Sequence, residues 1–372
     1  MNRARLRDLG ITIGNLPTGR HNAITDVRGV RVGHRTLIYD EPRIARTGVT
    51  VIVPREGRIW SDNICAGFHA LNGSGEMTGT HWLAESGLLT TPIAITNTHQ
   101  VGVVRDALVE YAITNGHSKG WELPVVAETY DGWLNDISAF HLTKEDVYEA
   151  LASAKGGPVA EGNVGGGTGM ICHEFKGGIG TSSRLVDTKS GQYTVGVLVQ
   201  ANYGLRHQLR VDGIPVGCEI DSEHTPTPGW EELRQGGSII VIIATDAPLL
   251  PIQCKRLAQR ATVGLARMGS IGANNSGDIF LAFSTGNHIP ADACAPVDLK
   301  MFPQHHVSLH LNPLFEAVAE AVEEAILNAL TAAETMTGLM GHTACALPLD
   351  KLQNLMAKYR PSAKRDRRDK RV

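Results

Sequence analysis

Gly236-Gly237-Ser238-Ile239-Ile240-Val241-Ile242-Ile243-Ala244-Thr245-Asp246-Ala247-Pro248 sets a glycine pair and a hydroxyl residue in front of an unbroken apolar run. Apolar residues that continue rather than alternate predict a strand buried on both faces. Such a strand belongs in the interior of a layered fold of helices and sheets. Ser238 is expected to open this strand, and the glycines before it to allow a backbone geometry that residues with a β-carbon resist. A hydroxyl held there can attack the carbonyl of the residue before it. Cleavage then leaves Ser238 as a new terminus whose α-amine can act as base. The same letters also fit an ordinary glycine turn with a serine at a strand edge, so the rest of the chain has to decide.

Outward from this stretch, strands are expected at Val49–Val53, Ile93–Thr96, Leu123–Ala127, Tyr193–Ala201 and Ile279–Phe283. Helices alternate with them. Lys255–Met268 carries Leu257, Ala261, Leu265 and Met268 on one face, and Gly269 closes it. Asn312 can cap a long helix with Pro313 in its first turn and Gly338 as its end. Asp350–Tyr359 reads as a short helix presenting Leu352, Leu355 and Met356. No repeat and no long linker divides the chain. One α+β catalytic domain is expected over residues 1–360, followed by a charged, solvated tail over 361–372.

Composition narrows the classes. Of 372 residues, 42% are hydrophobic and 20% charged, which describes an ordinary globular protein. With 35 basic and 38 acidic residues and only 5% aromatics, neither a basic track nor a stacking platform for nucleic acid is expected. The basic N-terminus has no apolar segment behind it, and no run approaches the ~18–20 residues of a membrane span, so a cytoplasmic protein without a membrane partner is expected. Cys65, Cys172, Cys218, Cys254, Cys294 and Cys345 are scattered, without zinc or disulfide-framework spacing. No histidine pattern suggests a metal. The glycine-rich Gly162–Gly169 lacks the Gly-Lys-Ser/Thr ending of a phosphate loop. No cofactor is called for.

Five further positions carry candidate chemistry. Glu128 and Tyr130, two apart at the end of a strand, point to one side. A carboxylate and a phenol there suit an ammonium group next to a reacting centre, or simply a polar strand end. Asn202, before Tyr203-Gly204, can donate to an oxyanion or make a turn. Ser276-Gly277-Asp278 ahead of a strand can orient a nucleophile, or again make a turn.

Gly237-Ser238-Ile239-Ile240-Val241, the following Ala244-Thr245-Asp246-Ala247-Pro248, and Asn-Ala-Ile-Thr-Asp-Val at 22–27 resemble the DmpA-type aminopeptidases, the group of L-aminopeptidase/D-amidase/D-esterases and β-peptidyl aminopeptidases. The likeness runs from about Arg7 to Tyr359. It implies a four-layer αββα fold similar to N-terminal-nucleophile hydrolases, and a precursor cut between Gly237 and Ser238 into α and β chains that assemble as oligomers of αβ units. It also implies Ser238 as nucleophile, Asn202 as oxyanion donor, Tyr130 as active-site tyrosine, Glu128 as holder of the substrate amine, and Ser276 as a second serine. Asp278 stands where some relatives have glutamate. The implied substrate is a small peptide or an amino-acid amide or ester with a free amine. Two alternatives remain at this point: acyl transfer, as in the ornithine acetyltransferases that share this architecture but use threonine, and a silent, uncut binding protein.

Overall fold

The computed structural model describes residues 3–56, 58–118, 120–228, 236–303 and 308–359. The apolar run after Ser238 divides between two cores. Ile239, Val241 and Ile243 pack into a cluster shared with two long helices, whereas Ile240, Ile242 and Ala244 pack into a second cluster between two sheets. A strand covered on both faces has no polar side to show, which is why the sequence runs apolar without alternation. Burial of each such aliphatic side chain contributes roughly 1.5–3 kcal/mol.

In chain order the elements are β1 (Arg31–Tyr39), β2 (Ala45–Val53), β3 (Asp62–Gly73), α1 (Thr80–Ser86), β4 (Leu88–Leu89), β5 (Ile93–Asn97), α2 (Val101–Thr114), β6 (Val125–Thr129) and α3 (Lys144–Ser153). There follow β7 (Ile171–Cys172), β8 (Phe175–Lys176), β9 (Gly178–Thr188), β10 (Gly191–Asn202), α4 (Val216–Glu219), β11 (Gly236–Thr245), α5 (Pro251–Arg267), β12 (Asn275–Pro290) and α6 (Ser308–Ala332). The described chain closes with β13 (Met336–Thr337), β14 (Thr343–Ala344) and α7 (Leu349–Tyr359).

One sheet has the order β1-β2-β5-β6 and the other β4-β3-β12-β11-β10-β9. They face each other across a core that includes Ile52, Ile95 and Ala127 from the first and Leu198, Ile242 and Leu281 from the second. Helices α2 and α3 cover the outer face of the four-stranded sheet through Val104, Leu108 and Val147. Helices α5 and α6 cover the six-stranded sheet through Leu257, Leu265, Ala321 and Ala325. The architecture is therefore α+β in four layers, αββα. β11 lies at the centre of the larger sheet, antiparallel to β10 and parallel to β12.

Three local expectations are corrected. Gly236 and Gly237 already belong to β11, so Ser238 is the third residue of the strand rather than its first. Ser276-Gly277-Asp278 lies inside β12 and is not a turn before it, because its backbone pairs with β11 from Asn275 onward. Helix α6 contains Pro313 in its interior and ends at Ala332, well before Gly338. It starts upstream of Asn312 because Leu311 is core and His310 stacks on Phe302 at 4.7 Å, contacts that hold the earlier turn against the sheet. The charged tail over 361–372 lies outside the described residues.

Candidate active site

The pairing register brings Ser238 directly opposite Asn202 on β10 and beside Gly277 on β12. Alternation along β11 and β10 turns both Ser238 and Asn202 to the inter-sheet face, in line with Ile240, Ile242 and Leu198. There the two sheets part around a cavity of about 400 Å³ lined by Ser238, Gly237, Asn202, Glu128 and Tyr130. Five positions chosen from sequence thus meet in one place.

The Ser238 hydroxyl is fixed from both sides. Its Oγ donates to the Gly237 carbonyl at 2.7 Å and accepts from the Gly277 N–H at 3.2 Å. The oxygen therefore rests against the carbonyl group it would attack, in an intact chain. Glycine is required at 237 by close packing: a Cβ there would lie 2.8 Å from Tyr203 Cα and 2.9 Å from the Asn202 carbonyl. Its φ is not in the left-handed region, so the expected special backbone geometry is replaced by a steric reason. Gly277 is needed for the same reason, since a Cβ would come within 2.7 Å of the Ser74 carbonyl and 3.0 Å of Ser238 Oγ.

Asn202 is nearly buried and its carboxamide is oriented at both ends. Oδ1 accepts from Ile171 N–H at 2.8 Å and Nδ2 donates to the Tyr130 carbonyl at 3.0 Å. An amide nitrogen has two protons, which leaves one for a group in the cavity. Tyr130 is half exposed at the rim.

Glu128 is 3% exposed and carries the cavity's charge inward. Oε1 accepts from the Glu76 N–H at 2.9 Å, and Oε2 accepts from the Thr98 hydroxyl. Burial raises its pKa, with the Thr98 and Glu76 hydrogen bonds acting against that rise. None of the residues lining the cavity bears a positive charge. A buried carboxylate facing such a cavity is complementary to a cation brought by a ligand.

Ser276 and Asp278 stand apart from this group. By alternation they share the helix-facing side of β12 with Phe280 and Ala282, and neither lines the cavity. Their contact is with each other, Ser276 Oγ donating to Asp278 Oδ1 at 2.6 Å. Burial pushes the Asp278 carboxyl up to about 6, against the Ser276 hydrogen bond. Its Oδ2 has no hydrogen-bond partner among the described residues.

Ser74, Gly75, Glu76, Thr98 and Asn275 also line the cavity and were missed from sequence. Several act through position or main-chain groups, which leave no mark in residue type. Thr98 had one readable signal: it follows the β5 strand, whose parallel partner β6 carries Glu128. Among the described residues no group of three or more His, Cys, Asp or Glu converges as a metal site would. No described helix is long and apolar enough to cross a membrane.

Comparison with known proteins agrees with this geometry. A family model described as peptidase family S58 matches residues 22–344. The chain is 48% identical over 372 residues to β-peptidyl aminopeptidase BapA of Sphingosinicella microcystinivorans, spanning 96% of this chain and 92% of that protein. It is 44% identical over 368 residues to the BapA of Sphingosinicella xenopeptidilytica, spanning 95% and 90%. A Burkholderia sp. β-aminopeptidase structure superposes with TM-score 0.88 at 53% identity, covering 95% of this chain and 99% of that one. The L-aminopeptidase D-Ala-esterase/amidase of Ochrobactrum anthropi, described as a prototype serine aminopeptidase and a variant of the Ntn hydrolase fold, also gives 0.88, at 44% identity over 95% and 98%.

Proposed function

The chain belongs to peptidase family S58 and is an aminopeptidase; on that premise we propose that it processes itself between Gly237 and Ser238 and then uses Ser238 as an N-terminal nucleophile. The observation that carries this is the Ser238 hydroxyl, 2.7 Å from the Gly237 carbonyl oxygen at the edge of a cavity with a buried, cation-free carboxylate. Attack of Oγ on the Gly237 carbonyl carbon forms an ester and breaks the peptide bond, releasing the Ser238 α-amine. Water then hydrolyses the ester and restores the hydroxyl.

In the processed enzyme, Glu128 holds the substrate ammonium. The Ser238 α-amine takes the proton from Oγ as the oxygen attacks the first carbonyl. Asn202 Nδ2 stabilises the tetrahedral oxyanion, a role worth roughly 3–4 kcal/mol, and Tyr130 steadies the reacting end from the rim. Ser276 and Asp278 lie beyond the cavity wall, and we assign them to the new amine rather than to the substrate. The leaving group departs with the amine's proton and water releases the acyl group. Substrates are small peptides and amino-acid amides or esters with a free amine. The names of the relatives extend this to N-terminal β-aminoacyl residues. The working form is a cytoplasmic homo-oligomer of αβ units.

Denaturing electrophoresis tests the first step. Purified protein should run as fragments of 237 residues and the remaining 135. Ser238→Ala should stay as one chain and lose aminopeptidase activity. A Ser238→Ala protein that still splits at this bond would remove Ser238 from the role.

A further inference from the structure

Lys176 closes β8 with its side chain wholly buried. Its Nζ donates to the carbonyls of Met170 and Gly177, both at 2.9 Å, and of Gly167 at 3.3 Å. Burial draws its pKa down to about 7, with Cys172 and Asp131 acting against that fall. An ammonium in the interior, with its protons given to neutral carbonyls, is an unfavourable way to fill space that an aliphatic side chain could occupy. Its contacts point to a use.

The Met170 carbonyl and the Ile171 N–H are the two ends of one planar peptide group. The carbonyl end accepts from Lys176, and the N–H end donates to Asn202 Oδ1 at 2.8 Å. From there the carboxamide continues to Nδ2, which donates one proton to the Tyr130 carbonyl and keeps the other beside the Ser238 cavity. Hydrogen bonds in series polarise one another in a low-dielectric interior. In its ammonium form Lys176, donating to the Met170 oxygen, makes the Ile171 N–H a stronger donor. That withdraws electron density from the Asn202 carboxamide and makes its free N–H a stronger donor in turn. The same bonds forbid a flipped amide, because Oδ1 must meet an N–H and Nδ2 a carbonyl.

We propose that Lys176 is a positioning residue of the oxyanion site, acting through the Met170–Ile171 peptide to orient and polarise the Asn202 carboxamide. The inference rests on the reading of Asn202 as oxyanion donor. It also gives the glycine-rich segment a role without a phosphate. Gly167 and Gly177 supply carbonyls to the ammonium, and a Cβ at Gly167 would lie 2.4 Å from the Ile179 nitrogen, so a larger residue could not bring that carbonyl in.

The test is a double-mutant cycle on processed protein, using a free-amine aminoacyl ester and separating kcat from KM. Asn202→Ala should lower kcat by about 10²–10³-fold. Lys176→Met should lower it by about tenfold with KM within about twofold, a smaller effect because the donor is weakened rather than removed. In the Asn202→Ala background, Lys176→Met should add nothing. An equal tenfold loss in that background, or no loss in the single variant, overturns the proposal while leaving Asn202 in place. An Asn202→Ala enzyme with unchanged kcat overturns the oxyanion reading itself. A second measurement needs no change at Lys176 and no processing. In uncut Ser238→Ala protein labelled with ¹⁵N at isoleucine, the Ile171 amide proton should resonate downfield of the other strand isoleucines. A position among them shows that the peptide is not polarised and sinks the inference.

Discussion

Where β9, α6 and the N-terminal segment meet, Arg184 reaches Glu320 at 2.9 Å and Glu324 at 2.8 Å, and Arg7 adds a second contact to Glu324 at 2.7 Å. At the Ser238 end of the fold, Glu128 and Asp278 are equally buried, yet no Lys or Arg among the described residues pairs with either. Both regions hold carboxylates away from water, which is costly without a countercharge. The first is compensated by the chain itself and ties three segments together. On the function proposed above, the second awaits a cation: a substrate ammonium for Glu128, and for Asp278 the amine that processing would release. In this contrast the compensated carboxylates hold segments together, and the uncompensated pair lies at the Ser238 end of the fold.

The largest effect should come from breaking the compensated cluster. Arg184→Met leaves Glu320 without its buried partner and should cost about 3–5 kcal/mol of stability, measured by urea unfolding of the uncut Ser238→Ala protein. Activity per folded molecule should be unchanged in processed Arg184→Met. A variant with near-normal stability would show that this cluster is not needed to hold the segments together.

The opposite pattern is expected at the cavity. Glu128→Gln removes the charge; its Oε1 can still accept from the Glu76 N–H, while its Nε2 must donate to the Thr98 hydroxyl, reversing that bond. Because burial raises the Glu128 pKa, the neutral side chain should be tolerated or slightly stabilising at neutral pH. Turnover of free-amine substrates should fall by about 10²-fold in kcat/KM, on the order of 3 kcal/mol of lost charge-assisted binding. N-acetylated substrates should be poor for both proteins and unaffected by the change. Equal losses on blocked and free substrates would take Glu128 out of amine recognition.

The same contrast explains what could be read from sequence. β11 was legible because a strand buried on both faces writes an unbroken apolar run. Ser238, Glu128, Tyr130 and Asn202 were legible as candidates near strand ends, but residue type alone also fitted turns and polar strand ends, and the resemblance to the DmpA-type aminopeptidases decided between the two readings. Lys176 and Arg184 were not legible, since an isolated basic residue looks exposed until the fold encloses it. The Gly277 N–H and Glu76 N–H were hidden for another reason: they act with main-chain groups that every residue has, and only the register of β3, β11 and β12 gives them meaning. The start of α6 was misplaced because Asn312-Pro313 is a good helix opening locally, whereas core contacts of Leu311 and the stacking of His310 extend the helix upstream.

The finest test of the uncompensated region is the pH dependence of Asp278. Its carboxyl is pushed up to about 6 by burial, above the ordinary value of about 3.9. The folded state therefore holds this proton more tightly than the unfolded state. The stability it contributes is fully present below about pH 4 and is lost as pH rises through about 6. Asp278→Asn is neutral throughout and still accepts from Ser276, so it should match Asp278 near pH 4 and exceed it at pH 7.5 by on the order of 2 kcal/mol. This should hold in uncut Ser238→Ala protein, where no new terminus exists. In processed protein the gain should shrink, because the Ser238 ammonium now supplies the missing countercharge and draws the Asp278 pKa back down. Urea midpoints at both pH values, for the uncut and processed forms, give the four numbers required. If the gain is the same at pH 4 and pH 7.5, its origin is not the buried charge. If it is as large in processed as in uncut protein, the new amine does not reach Asp278, and the carboxylate is only an uncompensated part of the structure.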